Sequence, residues 1–598
     1  MKIPGIFAVA LVIVGPVGAY GQAQTSVGRG CTTATYADND CDGYGVARRS
    51  SGVYPIGDSG SYQYTIGDLP DADDEDPSVN TTASWEAKWG AGNVGIRAFL
   101  AARRGFTNTS RIYYIAPAGN DATGVMNDPK HPYATAVTAR TGLHDLQGGV
   151  VVIRGGTYAT LDLSDCGNGA PCYGFTGTAN TPTYIMAYPG ERVVLNKGWS
   201  HGTGYWPNKD MRYVTVDGLV FYQPAWSGGY GGYGVSLTDA DHVTVRDCEF
   251  AGWRMTMFGN HSEDILLEGN VYHDFGAHAV YLGWSGYVNP YGAADFDFAD
   301  NEAKYQAGLV PGASYRVTIR DNVIYNVGLD GFEPLHINCY IEGVLLEGNI
   351  LSYNCAGIGL QTGVYHAVVR NNVILDSAST PIILSLYYYA NLVEPATIRY
   401  ILIENNTLWV GPYSTGLIRG KNPAYGVAAS DGSGQGRWIK DVTVRNNILV
   451  TQNGGTNAHP QLLFQANSYP DTWIITNNLF WGTQESPTSS DLVATIASTA
   501  YPDGHDAGSY TMVTLPSKVR SWSGNLYANP LFKAASTSYT LTPWQFDLGL
   551  SAGSPAIKAG AAGGATVDAR RLLRGAPPDI GAYNWGVVPG TPAKVVVR

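Results

Sequence analysis

VTVRDC (243–248), ILLEGN (265–270), VTIRDN (317–322), VLLEGN (344–349), AVVRNN (367–372), ILIENN (401–406), VTVRNN (442–447) and WIITNN (473–478) are one six-residue unit written eight times. Apolar residues stand at the first and third positions, the alternation of a strand with one buried face, and each unit closes on a polar corner. The last residue is Asn in seven of the eight (Asn270, Asn322, Asn349, Asn372, Asn406, Asn447 and Asn478), and Cys248 fills the slot in the first. Asn tolerates the left-handed backbone of a sharp corner, and its amide both donates and accepts. Repeated in one frame, it predicts an internal ladder bonded from coil to coil.

The intervals decide the architecture. Cys248 to Asn270 is 22 residues and Asn349 to Asn372 is 23. A coil that short holds three strands and three turns, with no room for a crossover helix. The other intervals, 52, 27, 34, 41 and 31 residues in mixed order, read as the same coil carrying insertions. At about 4.8 Å per coil, roughly a dozen coils make a rod about 55 Å long. The expected fold is an all-β solenoid.

The composition agrees. Of 598 residues, 75 are Gly and 40 are Tyr, and 14% are charged, against about 25% in an ordinary globular domain. That mixture suits short strands and tight corners. The net charge of −12 and the scattered Lys and Arg argue against nucleic acid as a partner, since a phosphate backbone needs a clustered basic surface.

RIYYIAPAGNDATG (111–124) and GGVVVIRGGTY (148–158) resemble the opening of bacterial right-handed parallel β-helix proteins of the pectate-lyase-like superfamily. NPLF (529–532), SPAIKAG (554–560) and PPDIGAYNW (577–585) resemble the last coil and cap of the same superfamily. The resemblance implies a right-handed parallel β-helix over 111–585, closed by a C-terminal cap. It is a likeness of fold, because no active-site motif of pectate lyases, polygalacturonases or alginate epimerases can be carried over residue by residue.

Lys2, the apolar stretch Ile6 to Val14 and the small residues around Tyr20 read as a signal peptide over 1–21. The apolar run is shorter than the roughly 20 residues a membrane span needs, so export without a membrane span is expected. Seven Cys fit an oxidising compartment with at least one left over. Cys31 with Cys41, and Cys166 with Cys172, are near enough to clip local loops, while Cys248, Cys339 and Cys355 lie in apolar surroundings that suit buried packing.

Residues 38–45, DNDCDGYG, alternate Asp38, Asp40 and Asp42 before Gly43, so three carboxylates and the Tyr44 carbonyl can converge on one hard cation. Asp71, Asp73, Asp74 and Asp76 form a second cluster in DADDEDPSVN (71–80). Together they resemble the metal-binding repeats related to thrombospondin type-3 repeats in bacterial exported proteins, although Ala72 stands where those repeats carry a Cys. The resemblance implies a structural Ca2+ segment over 31–82.

After each Asn corner a second strand follows at HAVYLG (278–283), GFEPLHI (331–337), GIGLQTG (357–363), PIILSL (381–386) and GLIRG (416–420). The larger insertions, 284–313, 387–399 and 421–440, leave after this strand and are expected to wall one side of the rod, as binding faces of repeat proteins are walled. Trp284, Tyr287, Tyr291, Phe296 and Phe298 offer flat faces for sugar rings, beside Asp295, Asp297 and Asp300. Ionisable residues gather on the flanking coils: Arg254, His261, His273, Asp274, His278, Asp330, Glu333 and His336. Alternation points Phe332 inward and Glu333 outward. Stacking would then bring Tyr281 near Glu333, with Gln361 and Ser385 in the coils beyond, unless Pro334 shifts the phase.

Two chemistries stay open. A lyase needs a base for the proton α to a uronate carboxyl, which Arg254, a His or Tyr281 could be, and a cation on that carboxylate. A hydrolase needs two carboxylates, for which Asp274, Asp330 and Glu333 are candidates. The leading expectation is an extracellular polysaccharide-active lyase or glycosidase. The rivals are a non-catalytic surface, matrix or adhesive protein and a carbohydrate-binding module.

Overall fold

The computed structural model describes three two-residue strands at 31–32, 37–38 and 62–63 and then residues 78–585 with breaks. The longer breaks are 164–174, 197–210, 284–313, 386–397, 411–417, 422–438, 452–460, 483–491, 497–504 and 535–546. The signal peptide and the expected calcium ligands Asp40, Asp42, Tyr44, Asp71, Asp73, Asp74 and Asp76 lie outside the described residues, and of Asp38 only the backbone is described, pairing with Cys31.

Three long sheets run along one axis, with 14, 12 and 10 strands. We call them A, B and C in the order the chain visits them in each coil. Sheet A runs from Ile112–Ile115 to Ser521–Ser523, and sheet B from Gly156–Tyr158 to Leu526–Tyr527. Sheet C begins at Tyr233–Ser236. Within these three sheets, the described strands pair in parallel between coils except for the final strand of sheet C, Gly508–Thr511, which is antiparallel. The register is that of the sequence repeat. Val243 and Val245 align with Ile265 and Leu267, then Val317 and Ile319, then Val344 and Leu346. These residues fill one continuous core down the axis, as stacked units that cannot bury their apolar face alone must do.

The corner between A and B carries the expected ladder. Asn349 Nδ2 donates to Asn372 Oδ1 (3.0 Å) and to the Ile319 carbonyl (2.8 Å), while its Oδ1 accepts from Asn322 N (3.1 Å) and Nδ2 (2.9 Å). The pattern repeats through Asn478 to a further rung, Asn525. Cys248 ends it on the other side, its N–H donating to Asn270 Oδ1 at 3.0 Å. One expectation is corrected. The left-handed residue is the one before Cys248 and before each ladder Asn, namely Asp247, Gly269, Asp321, Gly348, Asn371, Asn405, Asn446, Asn477 and Gly524. The ladder Asn itself keeps ordinary backbone, because its amide must point into the core while its neighbour turns the chain.

Three helices that the composition did not suggest stand at the front. α1 (Thr82–Trp89) starts at a Thr81–Ser84 capping box and α2 (Gly92–Arg104) ends on left-handed Gly105. Trp85, Ile96, Phe99 and Leu100 pack on Tyr114, Val150, Val152 and Tyr184, the outer side of the first sheet A strands. α3 (Val137–Leu143) puts Ala139 and Leu143 into the front of the core.

The C-terminal stretch was expected to cap the last coil. Its described part runs back along the outside of the rod. Leu548, Leu550, Ala556, Ile580 and Ala582 join a cluster with Ile350, Val373, Ile448 and Leu479 of sheet B. Arg571 bonds Glu347 Oε2 at 2.9 Å and Asp321 Oδ2 at 2.5 Å, several coils away from the end. Outside sheet A, the strand-end residues Arg246, Glu268, Arg320, Glu347, Arg370, Glu404 and Arg445 align in alternating sign. Like charges on adjacent coils are thereby avoided.

Candidate functional site

Sheet C supplies the site. Its strands His278–Leu282, Leu335–Ile337, Ile358–Gln361 and Ile382–Ser385 stack in that order. Val280, Leu282, Leu335 and Ile337 enter the core. The register differs from the expected one. Tyr281 pairs with His336, and His336 with Gly359. Pro334 is the cause, because it stands directly before the strand and ends the simple alternation that placed Glu333 beside Tyr281. Gln361 does pair with Ser385. The insertions after this sheet are shorter than read, since Ile398, Arg399, Ile439 and Lys440 already belong to sheet A, and Lys421 ends a sheet C strand.

Four side chains from two neighbouring coils meet on the outside of this sheet. Tyr281 and His336 stack with ring centres 4.6 Å apart and planes 9° from parallel. His278 packs at 4.5 Å from His336 and donates Nδ1–H to the Glu333 carbonyl at 2.6 Å. When the imidazole is neutral, that bond fixes the His278 tautomer and leaves the lone pair on Nε2. Glu333 Oε2 lies 3.1 Å from His336 Nδ1. His278, Glu333 and His336 are 4–7% exposed. Burial pushes the Glu333 carboxyl up, but the His336 hydrogen bond and the charges of His336 and His278 outweigh it, leaving the group below its ordinary value.

Gln361 joins this cluster, its Nε2 3.3 Å from His336 Nδ1, and Asn338 Nδ2 donates to the Tyr281 hydroxyl at 3.2 Å. The role of Asn338 was not read from the sequence, since it stands just beyond the strand. Gly359 was missed as well. A Cβ there would stand 3.0 Å from Glu333 Cγ, so its bare backbone makes the room in which that side chain lies. Asp274 does not join them. It sits on sheet B, fully buried, bonding His273 Nδ1 at 2.8 Å. Arg254, His261, Asp330, Trp284 and Tyr287 lie outside the described residues.

A second buried group, on sheet B, was not foreseen. Glu249 accepts from Arg192 (2.6 Å) and contacts His273 Nε2 at 3.0 Å. Burial pulls the imidazole down, but hydrogen bonds to Asp274 and Glu249 prevail and push its pKa to about 9. Two cations facing two anions make it a closed ion network.

With the ladder, the three sheets and the site in place, the chain is a right-handed parallel β-helix protein, and residues 208–374 match the family model described as the right handed beta helix region. No curated protein matches the sequence. Among solved structures, the A-module of a mannuronan C-5 epimerase from Azotobacter vinelandii is similar at 13% identity and a TM-score of 0.35, over 69% of this chain and 96% of that one. A surface adhesin of Streptococcus pneumoniae, PfbA, is similar at 13% identity and a TM-score of 0.41, over 66% and 92%. Pectate lyase Pel9A is similar at 13% identity and a TM-score of 0.35, over 80% and 97%. Among the described residues, no helix is long and apolar enough to cross a membrane.

Proposed function

We propose that the protein is an exported polysaccharide lyase acting on a uronate-containing glycan laid along the outside of sheet C. The supporting observation is the convergence of Tyr281, His278, His336 and Glu333 there, beside Gln361 and Asn338. A glycosidase needs two carboxylates about 5–10 Å apart across the bond. Among the described residues this cluster contains one, Glu333, which favours elimination.

In this reading Tyr281 takes the proton from C5, α to the uronate carboxyl. For this Tyr281 must enter as the phenolate, whose charge Asn338 stabilises by donating to its oxygen, and it becomes the neutral phenol as it takes the proton. The electron pair left on C5 becomes the C4–C5 double bond as the C4–O bond breaks, and the leaving oxygen takes the proton from Tyr281, which restores the phenolate. The imidazoles are placed to offset the charge that gathers on the carboxyl group. The acidic segment over 31–82 would hold structural Ca2+, and the first 21 residues would direct export.

The burial of His278, Glu333 and His336 favours a second reading, a non-catalytic rod that binds glycan and keeps the cluster as packing. Purified protein is incubated with a panel of acidic and neutral polysaccharides while ultraviolet absorbance and reducing ends are followed. Unsaturated products, lost on Tyr281→Phe, support the lyase. Reducing ends without that absorbance overturn it in favour of hydrolysis, and binding without either product overturns it in favour of the rod.

A further inference from the structure

We infer that His278, Glu333 and His336 form a binding site for one divalent transition metal of the zinc type, distinct from the calcium expected at the N-terminus. One ligand atom from each residue lies within 4.8 Å of those of the other two. Ligand atoms of a tetrahedral zinc site, with bonds of about 2.0–2.1 Å, stand roughly 3.3 Å apart. Glu333 Oε2 and His336 Nδ1 already stand at 3.1 Å, one edge of such a tetrahedron.

The second observation is the hydrogen bond from His278 Nδ1 to the Glu333 carbonyl at 2.6 Å. Metal-binding imidazoles are held in this way, with the far N–H on a carbonyl and the other nitrogen presented to the ion. A third is Gln361 Oε1, buried and without a hydrogen-bond partner among the described residues, in a side chain whose Nε2 is 3.3 Å from His336 Nδ1. A water on the cation would satisfy that oxygen.

The donor set selects the metal class. Two imidazoles and one carboxylate suit zinc, cobalt or nickel, whereas calcium wants six to eight oxygens. Three protein ligands leave a fourth position open. If the lyase reading holds, that position takes a uronate carboxylate oxygen; metal binding itself does not depend on that reading. The other group of similar make-up, Asp241, His242 and Asp264, is half-exposed, and its Asp264 is already bonded by Arg316, whose Nε stands 2.6 Å from Asp264 Oδ1.

The test uses the full chain, stripped with a chelator and then saturated with Ca2+ so that the N-terminal carboxylates are occupied. Co2+ is titrated in, its visible absorption is followed, and Zn2+ is used to displace it. One equivalent is expected, with a tetrahedral spectrum lacking thiolate charge transfer. Gln361→Ala should weaken binding by about 10–100-fold, the range for groups behind the ligands, and His278→Ala or His336→Ala by more. Asp264→Asn should change nothing. Glu333→Gln, nearly isosteric, serves if a His variant fails to fold by circular dichroism. Absence of stoichiometric uptake overturns the inference, as does uptake unchanged in Glu333→Gln. Metal binding without unsaturated products would retire the lyase and keep the site, and unsaturated products from protein that takes up no stoichiometric metal would do the reverse.

Discussion

Truncating one internal rung of the Asn ladder has a cost that can be worked bond by bond. In Asn349→Ala, the Asn322 side chain keeps the Leu267 carbonyl and Asn372 Oδ1 keeps the residue-349 N–H. The Asn322 backbone N–H, fully buried, loses its acceptor. An orphaned buried donor costs about 1–3 kcal/mol, and the small void adds about 1 kcal/mol. The sum is roughly 2–4 kcal/mol. Asn525, at the open end, is half-exposed and water can replace it, so Asn525→Ala should cost only about 0.5–1 kcal/mol. Solenoids open coil by coil, so hydrogen exchange of individual amides is the right assay. Amides of residues 317–352 should lose protection roughly 30- to 700-fold in Asn349→Ala, while those of 112–153 hold. A loss below about threefold, or equal losses for both variants, would refute the claim that buried satisfaction and not mere turn propensity keeps these residues in place.

Other outcomes follow from the same structure. His273 holds its proton up to about 9 in the folded chain against about 6.5 when unfolded. Its contribution is therefore complete below about 6.5 and lost as pH rises through about 9. The loss is at most about 3 kcal/mol, and His273→Gln should flatten urea midpoints measured across that window. Arg571→Ala leaves Asp321 without this partner while Glu347 keeps Arg370 at 2.8 Å, so limited proteolysis should cut near 561–575 faster with the rod's melting little changed. Gly359→Val drives a Cβ into Glu333, and turnover, if present, should fall roughly 100-fold while circular dichroism stays the same. Chelating Ca2+ should lower the melting temperature of the full chain and leave that of a chain beginning at residue 78 unchanged; equal shifts in both would place the ion elsewhere.

The ladder was legible because its signal repeats in one frame and each copy makes the same bonds. Asn525 escaped because its unit, RSWSGN (520–525), opens with Arg520 where the other units carry an apolar residue or Trp473. The helices escaped because Gly92 and Gly95 dilute a pattern whose buried positions, Ile96, Phe99 and Leu100, have the helical spacing. At the site the residue types were readable and their mutual placement was not. Asp274 and His278 are four residues apart, yet a corner between them puts one on sheet B and the other on sheet C. A single Pro334 was enough to exchange Glu333 for His336 as the partner of Tyr281.

What each sheet carries on its outside explains why the candidate cluster falls where it does. Sheet A is taken at its front by α1 and α2 and then by the alternating Arg and Glu residues, whose charges are spent on one another at 2.8–3.0 Å. Sheet B is taken by the returning C-terminal segment and by the Arg192–Glu249–His273–Asp274 network, in which cations and anions balance. Sheet C differs. There one carboxylate faces two imidazoles and a phenol, with no Arg or Lys among the described residues of that cluster. Imidazoles can hold a proton or a metal and release either, which a guanidinium cannot. A face built from exchangeable charge is the one on which the proposed glycan site is placed, and its strands His278–Leu282, Ile382–Ser385 and Ile418–Lys421 precede 284–313, 386–397 and 422–438 in the chain.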